Sequence, residues 1–107
     1  MKRTAVHDAQ RKGILIPREQ LVGSAFQPGD RFTVSRGQRE FFCLVIERDP
    51  HGDIFFDKQG IFVERTRRVD ILLGGIFDAF TVEIGEAPPG TIRIKAQGVD
   101  LHSMQAL

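Results

Sequence analysis

The chain has 107 residues, 41% apolar and 27% charged, which suits one compact domain and excludes a disordered polymer. Its 15 Lys/Arg stand against 14 Asp/Glu, with nine against six in residues 1–50 and six against eight in residues 51–107. Composition alone therefore does not announce nucleic-acid binding, and any such function must come from local patches. No apolar run nears the roughly 20 residues that span a bilayer, and the opening MKRTAVHDAQRKG lacks a secretory h-region, so a cytoplasmic protein with no membrane partner is expected.

In chain order, a strand from Arg3 to Asp8 leads through the basic turn Gln10-Arg11-Lys12-Gly13 to a second strand, Ile14 to Ile16. Pro17 ends that strand, since it cannot donate to a ladder, and suits the first turn of a helix. Leu21, Val22, Ala25 and Phe26 then predict a short helix over about Arg18–Ala25 with one apolar face. Gln27-Pro28-Gly29-Asp30 has Pro and Gly where a type II turn wants them, and Arg31 to Ser35 alternates around Phe32 and Val34. Gly37 closes a turn into Phe41–Ile46, an apolar run that reads as a strand buried on both faces.

The same order then recurs. Asp53 to Phe56 reads as a strand, Asp57-Lys58-Gln59-Gly60 as a turn and Ile61 to Val63 as a strand. Thr66 to about Leu73 is a helix with Val69, Leu72, Leu73 and Ile76 on one face, stopped by Gly74-Gly75. Phe80, Val82 and Ile84 alternate inward, the loop 85–90 turns the chain, and Ile92, Ile94 and Ala96 alternate against Arg93 and Lys95. Asp30-Arg31-Phe32-Thr33-Val34 and Asp78-Ala79-Phe80-Thr81-Val82 share four of five residues at a separation of 48, while Gly13-Ile14-Leu15-Ile16 and Gly60-Ile61-Phe62-Val63 match in character at 47. A single domain, 1–107, with internal repeats 1–50 and 51–97 and a C-terminal tail 98–107 follows from this order.

The segment ILIPREQLVGSAFQPGDRFTV, Ile14 to Val34, resembles the core of the AbrB/SpoVT/MazE swapped-hairpin family. The likeness lies in an apolar strand ending in Ile-Pro, one short helix, a turn around Gly-Asp, and a strand. It implies a mainly β fold with two short helices, a swapped-hairpin β-barrel formed by two ββαββ half-repeats. In MraZ-type members both half-motifs lie in one chain, so the usual homodimer becomes an intramolecular pseudo-dimer. The resemblance also implies a DNA-binding transcriptional regulator, or alternatively a protein–protein interaction module, antitoxin-like or an obligate β-rich oligomer. Three features depart from the pattern. Lys12 stands where the family's glycine usually lies, Leu21 and Val22 replace an arginine pair early in the helix, and Val63-Glu64 replaces Ile-Pro in the second half.

A DNA surface needs cations spaced to meet phosphates, and arginine can grip an oxygen or a guanine edge with both arms of its fork. Candidates are Arg3, Arg11, Lys12 and Arg18 in the first half, with Lys58, Arg65, Arg67 and Arg68 in the second. They flank equivalent turns and helix starts, which a pseudo-twofold barrel would bring to one face as a basic stripe. The other possibility is an ordinary solvated surface partly neutralised by Glu19, Asp57, Glu64 and Asp70. Partners open to the chain are thus double-stranded DNA, a protein held through the tail by Val99, Leu101, Met104 and Leu107, or further copies of itself.

Nothing in the sequence points to catalysis. Ser24, Ser35 and Ser103 lack a base at motif spacing, Asp30 sits in a turn where it caps backbone, and GQRE and GEAPPG read as hairpin turns rather than phosphate loops. His7, His51 and His102 are far apart and read as surface histidines, so neither a metal nor another cofactor is expected. Cys43, the only cysteine, lies within FFCLVI and reads as a buried, unreactive thiol.

Overall fold

The computed structural model describes residues 2–36, 42–75 and 77–97. In chain order the elements are β1 (Arg3–Asp8), β2 (Gly13–Pro17), a 3₁₀ turn (Arg18–Leu21), β3 (Arg31–Val34), β4 (Cys43–Arg48), β5 (Ile54–Asp57), β6 (Gly60–Glu64), α1 (Arg67–Leu73), β7 (Ala79–Gly85) and β8 (Thr91–Ala96). The strands close into one antiparallel barrel in the order β1-β2-β6-β5-β3-β4-β8-β7. Exchanging β1–β4 with β5–β8 leaves that cyclic order unchanged. Each hairpin is therefore flanked on both sides by hairpins from the other half: β1–β2 lies between β7 and β6, and β3–β4 between β5 and β8.

Strand alternation builds the interior. Ile14 and Ile16 on β2 face Val63 and Ile61 on β6, and Leu44 and Ile46 on β4 face Ile94 and Ile92 on β8; all eight are buried. Phe80 and Val82 turn inward with them, as the alternation predicts, while Ile84 is half-buried against the same cluster. Both faces of β4 are covered from Cys43 to Ile46. Burial pushes the Cys43 thiol above the usual thiol range, with nearby Lys95 opposing the shift and Glu83 adding to it.

The connections from β2 to β3 and from β6 to β7 supply further apolar side chains to the core. In the second half the expected helix forms: the Thr66 hydroxyl accepts from the Val69 amide at 3.2 Å, and Val69 and Leu73 are buried. The helix stops at Gly74-Gly75, whose amides donate to the Ile71 and Asp70 carbonyls in the paired pattern of a glycine-terminated helix. In the first half the expected helix over Arg18–Ala25 is only a four-residue 3₁₀ turn. Val22 is extended and Gly23 adopts φ 84°, a left-handed conformation that breaks the helix. Leu21 and Phe26 still reach the core, but Val22 is 66% exposed. The Gly37 turn, Phe41, Ile76 and the tail 98–107 lie outside the described residues.

His7 corrects the expectation of a surface histidine. Ala5 and His7 share the inward face of β1 while Val6 points out, and His7 Nε2 is buried without a hydrogen-bond partner among the described residues. Ile14, Val69, Leu73 and Phe80, together with Arg65 and Asp70, line a void of about 10 Å³ beside it, at the lower limit for holding one water. The residue in the same place on the other hairpin, just before Asp57, is the buried Phe56. A buried polar atom left unbonded costs about 1–3 kcal/mol. His7→Phe is accordingly expected to raise unfolding free energy in urea by about 1 kcal/mol; a destabilised variant would contradict this account of the site.

Candidate nucleic-acid interface

The Asp8 carboxylate organises the turn between β1 and β2. Its Oδ1 accepts from the Gln10 and Arg11 amides at 3.1 Å each, and its Oδ2 accepts from Arg11 Nε at 3.0 Å. Lys12 follows with φ 58°, so the position where the resembled family has glycine does adopt a glycine-like conformation. Gly13 is required for a different reason. A Cβ there would run into the Val63 carbonyl oxygen as well as the Phe62 ring, and that ring carries the Arg11 guanidinium 4.3 Å from its centre.

This turn is tied to the start of α1. The Arg65 amide donates to the Lys12 carbonyl at 3.0 Å, and Arg65 Nε donates to Asp70 Oδ1 at 2.7 Å. Arg67 and Arg68, in the first turn of α1, are exposed. One group of candidates thus gathers Arg11, Lys12, Arg65, Arg67 and Arg68. Within it Arg11 and Arg65 are held by Asp8 and Asp70, while Lys12, Arg67 and Arg68 have no ion pair among the described residues.

A second, smaller group holds Arg18 and Lys58. Asp57 Oδ1 accepts from the Gln59 and Gly60 amides at 2.8 and 3.3 Å, fixing the turn that displays Lys58, and the Arg18 amide donates to the Gln59 carbonyl at 3.0 Å. The groups lie at opposite ends of the β2–β6 ladder, which runs from Gly13↔Glu64 to Pro17↔Gly60. At the usual strand rise the ladder is about 14 Å long. Leu15 and Phe62 lie opposite one another between them. Arg3 sits at the end of β1 nearer the second group, since the next residue, Thr4, bonds the Gln20 side chain of the Arg18–Leu21 turn, and it lies opposite Val82 on β7.

Of the acidic residues expected to neutralise this surface, only Asp70 does so through a described ion pair, and Asp8 is the other partner. Phe55 and Phe62, which sequence reasoning passed over, prove to be seats for guanidinium groups: Arg31 lies 4.5 Å from the Phe55 ring centre. The signal was present in the aromatic residues on either side of the Asp57–Gly60 turn. Among the described residues no group of three or more His, Cys, Asp or Glu side chains could hold a metal ion, and no helix is long and apolar enough to cross a membrane. Comparison with known proteins gave no matching family model and no significant similarity to a curated protein or a solved structure.

The Arg11 side chain, bonded to Asp8, holds that carboxyl below the usual carboxylate range. A pKa depressed in the folded state contributes stability at neutral pH that is lost as pH falls through the folded carboxyl's range. An NMR titration is expected to place the Asp8 midpoint below the roughly 3.9 of a free aspartate. Arg11→Ala should raise it, and an unchanged midpoint in that variant would contradict the assignment.

Proposed function

We propose that the chain is a tandem swapped-hairpin protein of the AbrB/SpoVT kind and binds double-stranded DNA as a transcriptional regulator. The observation that carries the DNA reading is the pair Arg67 and Arg68, exposed and without described ion pairs, beside a turn that presents Lys12. Guanidinium groups free of internal carboxylates can meet phosphate oxygens without first breaking a salt bridge. The swapped-hairpin reading is supported by the strand order, in which each hairpin is bordered only by hairpins of the other half, and by the left-handed Lys12.

The two groups are unequal: of the cations without an ion pair among the described residues, Lys12, Arg67 and Arg68 stand against Arg18 and Lys58, so the interface is lopsided and the larger group dominates binding. Neutralising about five phosphates gives log K a slope of about −4 to −5 against log salt. Binding to the DNA upstream of the gene, titrated with salt beside a random duplex, is expected to show that slope and a preference for the former. Arg67→Glu with Arg68→Glu should abolish binding while leaving the unfolding midpoint close to the parent's, because both side chains are exposed. Salt-independent binding, or undiminished binding by the double variant, would sink the proposal.

A further inference from the structure

Strands β5 and β6 pair only at Phe56↔Ile61 and Asp57↔Gly60, and beyond those pairs they part. Between them opens a cavity of about 360 Å³, with Phe55, Phe62, Asp53, Asp57, Glu64 and Arg11 among the residues that line it. The corresponding place in the first half is bridged, because the Thr4 amide donates to the Gln20 side chain at 3.0 Å. Three carboxylates and one guanidinium among these residues leave the cleft acidic, although the larger basic group begins a few residues away. The Asp53 and Glu64 carboxylates are exposed and have no ion pair or side-chain hydrogen bond among the described residues.

Three features define what such a cleft can take. The aromatic rings hold cations at their faces, as Arg11 on Phe62 and Arg31 on Phe55 already illustrate within the chain. The acidic rim complements a positive charge. The exposed backbone edge suits an extended chain: since the Arg65 amide bonds to Lys12 on the β2 side, the alternation of an antiparallel ladder turns the N–H and C=O of Glu64 toward β5, where pairing has ended. An apolar row also leads away from the cleft across the outside of the barrel. Phe62 faces Leu15 and Leu15 faces Val6, while Phe55 at 48% and Val6 at 44% exposure leave room for contact. A small cation would use only the rings and carboxylates; a polypeptide uses all of these features.

We infer that the β5–β6 cleft is a docking site for an extended, arginine-bearing segment of a partner protein. The segment lies along the open edge of β6, with one guanidinium between the carboxylates of Asp53 and Glu64 and against the aromatic floor, the mode by which sheet edges capture strands. Arg11 is then a competing internal occupant. Arg67 and Arg68, which carry the DNA reading, do not line this site, whereas Arg11 borders both.

The test uses the full chain and a capped nonapeptide of alternating threonine and arginine, followed by ¹⁵N chemical-shift titration. A citrulline version that keeps the shape but not the charge is the control. The arginine peptide is expected to shift amides of residues 53–55 and 62–64 and to bind at least about fivefold more tightly than the citrulline peptide. Asp53→Asn with Glu64→Gln should weaken it by a similar factor. Arg11→Ala should strengthen it, and Arg67→Glu with Arg68→Glu should not weaken it. No binding, equal binding of the citrulline peptide, an undiminished affinity in the Asp53/Glu64 double variant, or shifts confined to other residues would overturn the inference. So would a dimer of the protein alone that dissociates in the Asp53/Glu64 double variant, which would make a second copy the occupant.

Discussion

The antiparallel contact between β2 and β6 is the constraint on which the barrel depends. Ile14, Ile16, Ile61 and Val63 turn inward from it, and with the β4–β8 ladder it forms one of the two seams at which a strand meets its own counterpart from the other half. The remaining contacts between halves, β1 with β7 and β3 with β5, complete the circle. Within either half alone, only the hairpins β1–β2 and β3–β4, or β5–β6 and β7–β8, are joined by strand pairing. A lone two-stranded hairpin is marginal in water, so neither half has a sheet that could stand without the other. Folding must bring together strands far apart in sequence, which places the chain among topologies rich in non-local contacts.

Away from those seams the two halves differ. The first half has a one-turn connection, broken at Gly23, and uses Gln20 to bridge the end of β1. The second has a capped helix that exposes Arg67 and Arg68, and a shorter β5 that leaves a cleft beside β6. Basic and acidic features therefore lie close together on one side of the barrel. Arg11 links them, bonded to Asp8, stacked on Phe62 and lining the cleft. A phosphate surface and a cation-accepting cleft are opposite demands, and the two proposals assign them to different elements: the start of α1 for the first, the diverging strands for the second.

Much of the architecture was legible because its signals are local. Alternation in Phe80-Thr81-Val82 and Ile92-Arg93-Ile94 names the inward face without knowledge of any partner strand, and Thr66 with Gly74-Gly75 brackets α1. The first helix was misread because Leu21, Val22, Ala25 and Phe26 satisfy helical spacing while the left-handed Gly23 interrupts it; here backbone conformation overrode pattern. On β1 the face was ambiguous. Val6 is the more apolar residue, yet register places Ala5 and His7 inside, and a shift of one residue would have reversed them. Candidate cations could be named from the sequence, but not which of them carboxylates hold. Asp8 and Asp70 find Arg11 and Arg65 through turn and cap geometry. The cleft was not readable at all, since it exists only because pairing between β5 and β6 ends early.

The central claim is that β2 pairs with β6 and β4 with β8, joining the two halves twice. Backbone bonds from Arg65 to Lys12 and from Ala96 to Phe42 make Leu15–Phe62 and Val45–Arg93 non-hydrogen-bonded pairs, in which the facing Cα atoms come closest. Strong Hα–Hα nuclear Overhauser effects between Leu15 and Phe62 and between Val45 and Arg93 are the predicted result. Their absence, with β2 and β4 instead showing such contacts only to strands of their own half, would contradict the fold and everything built on it.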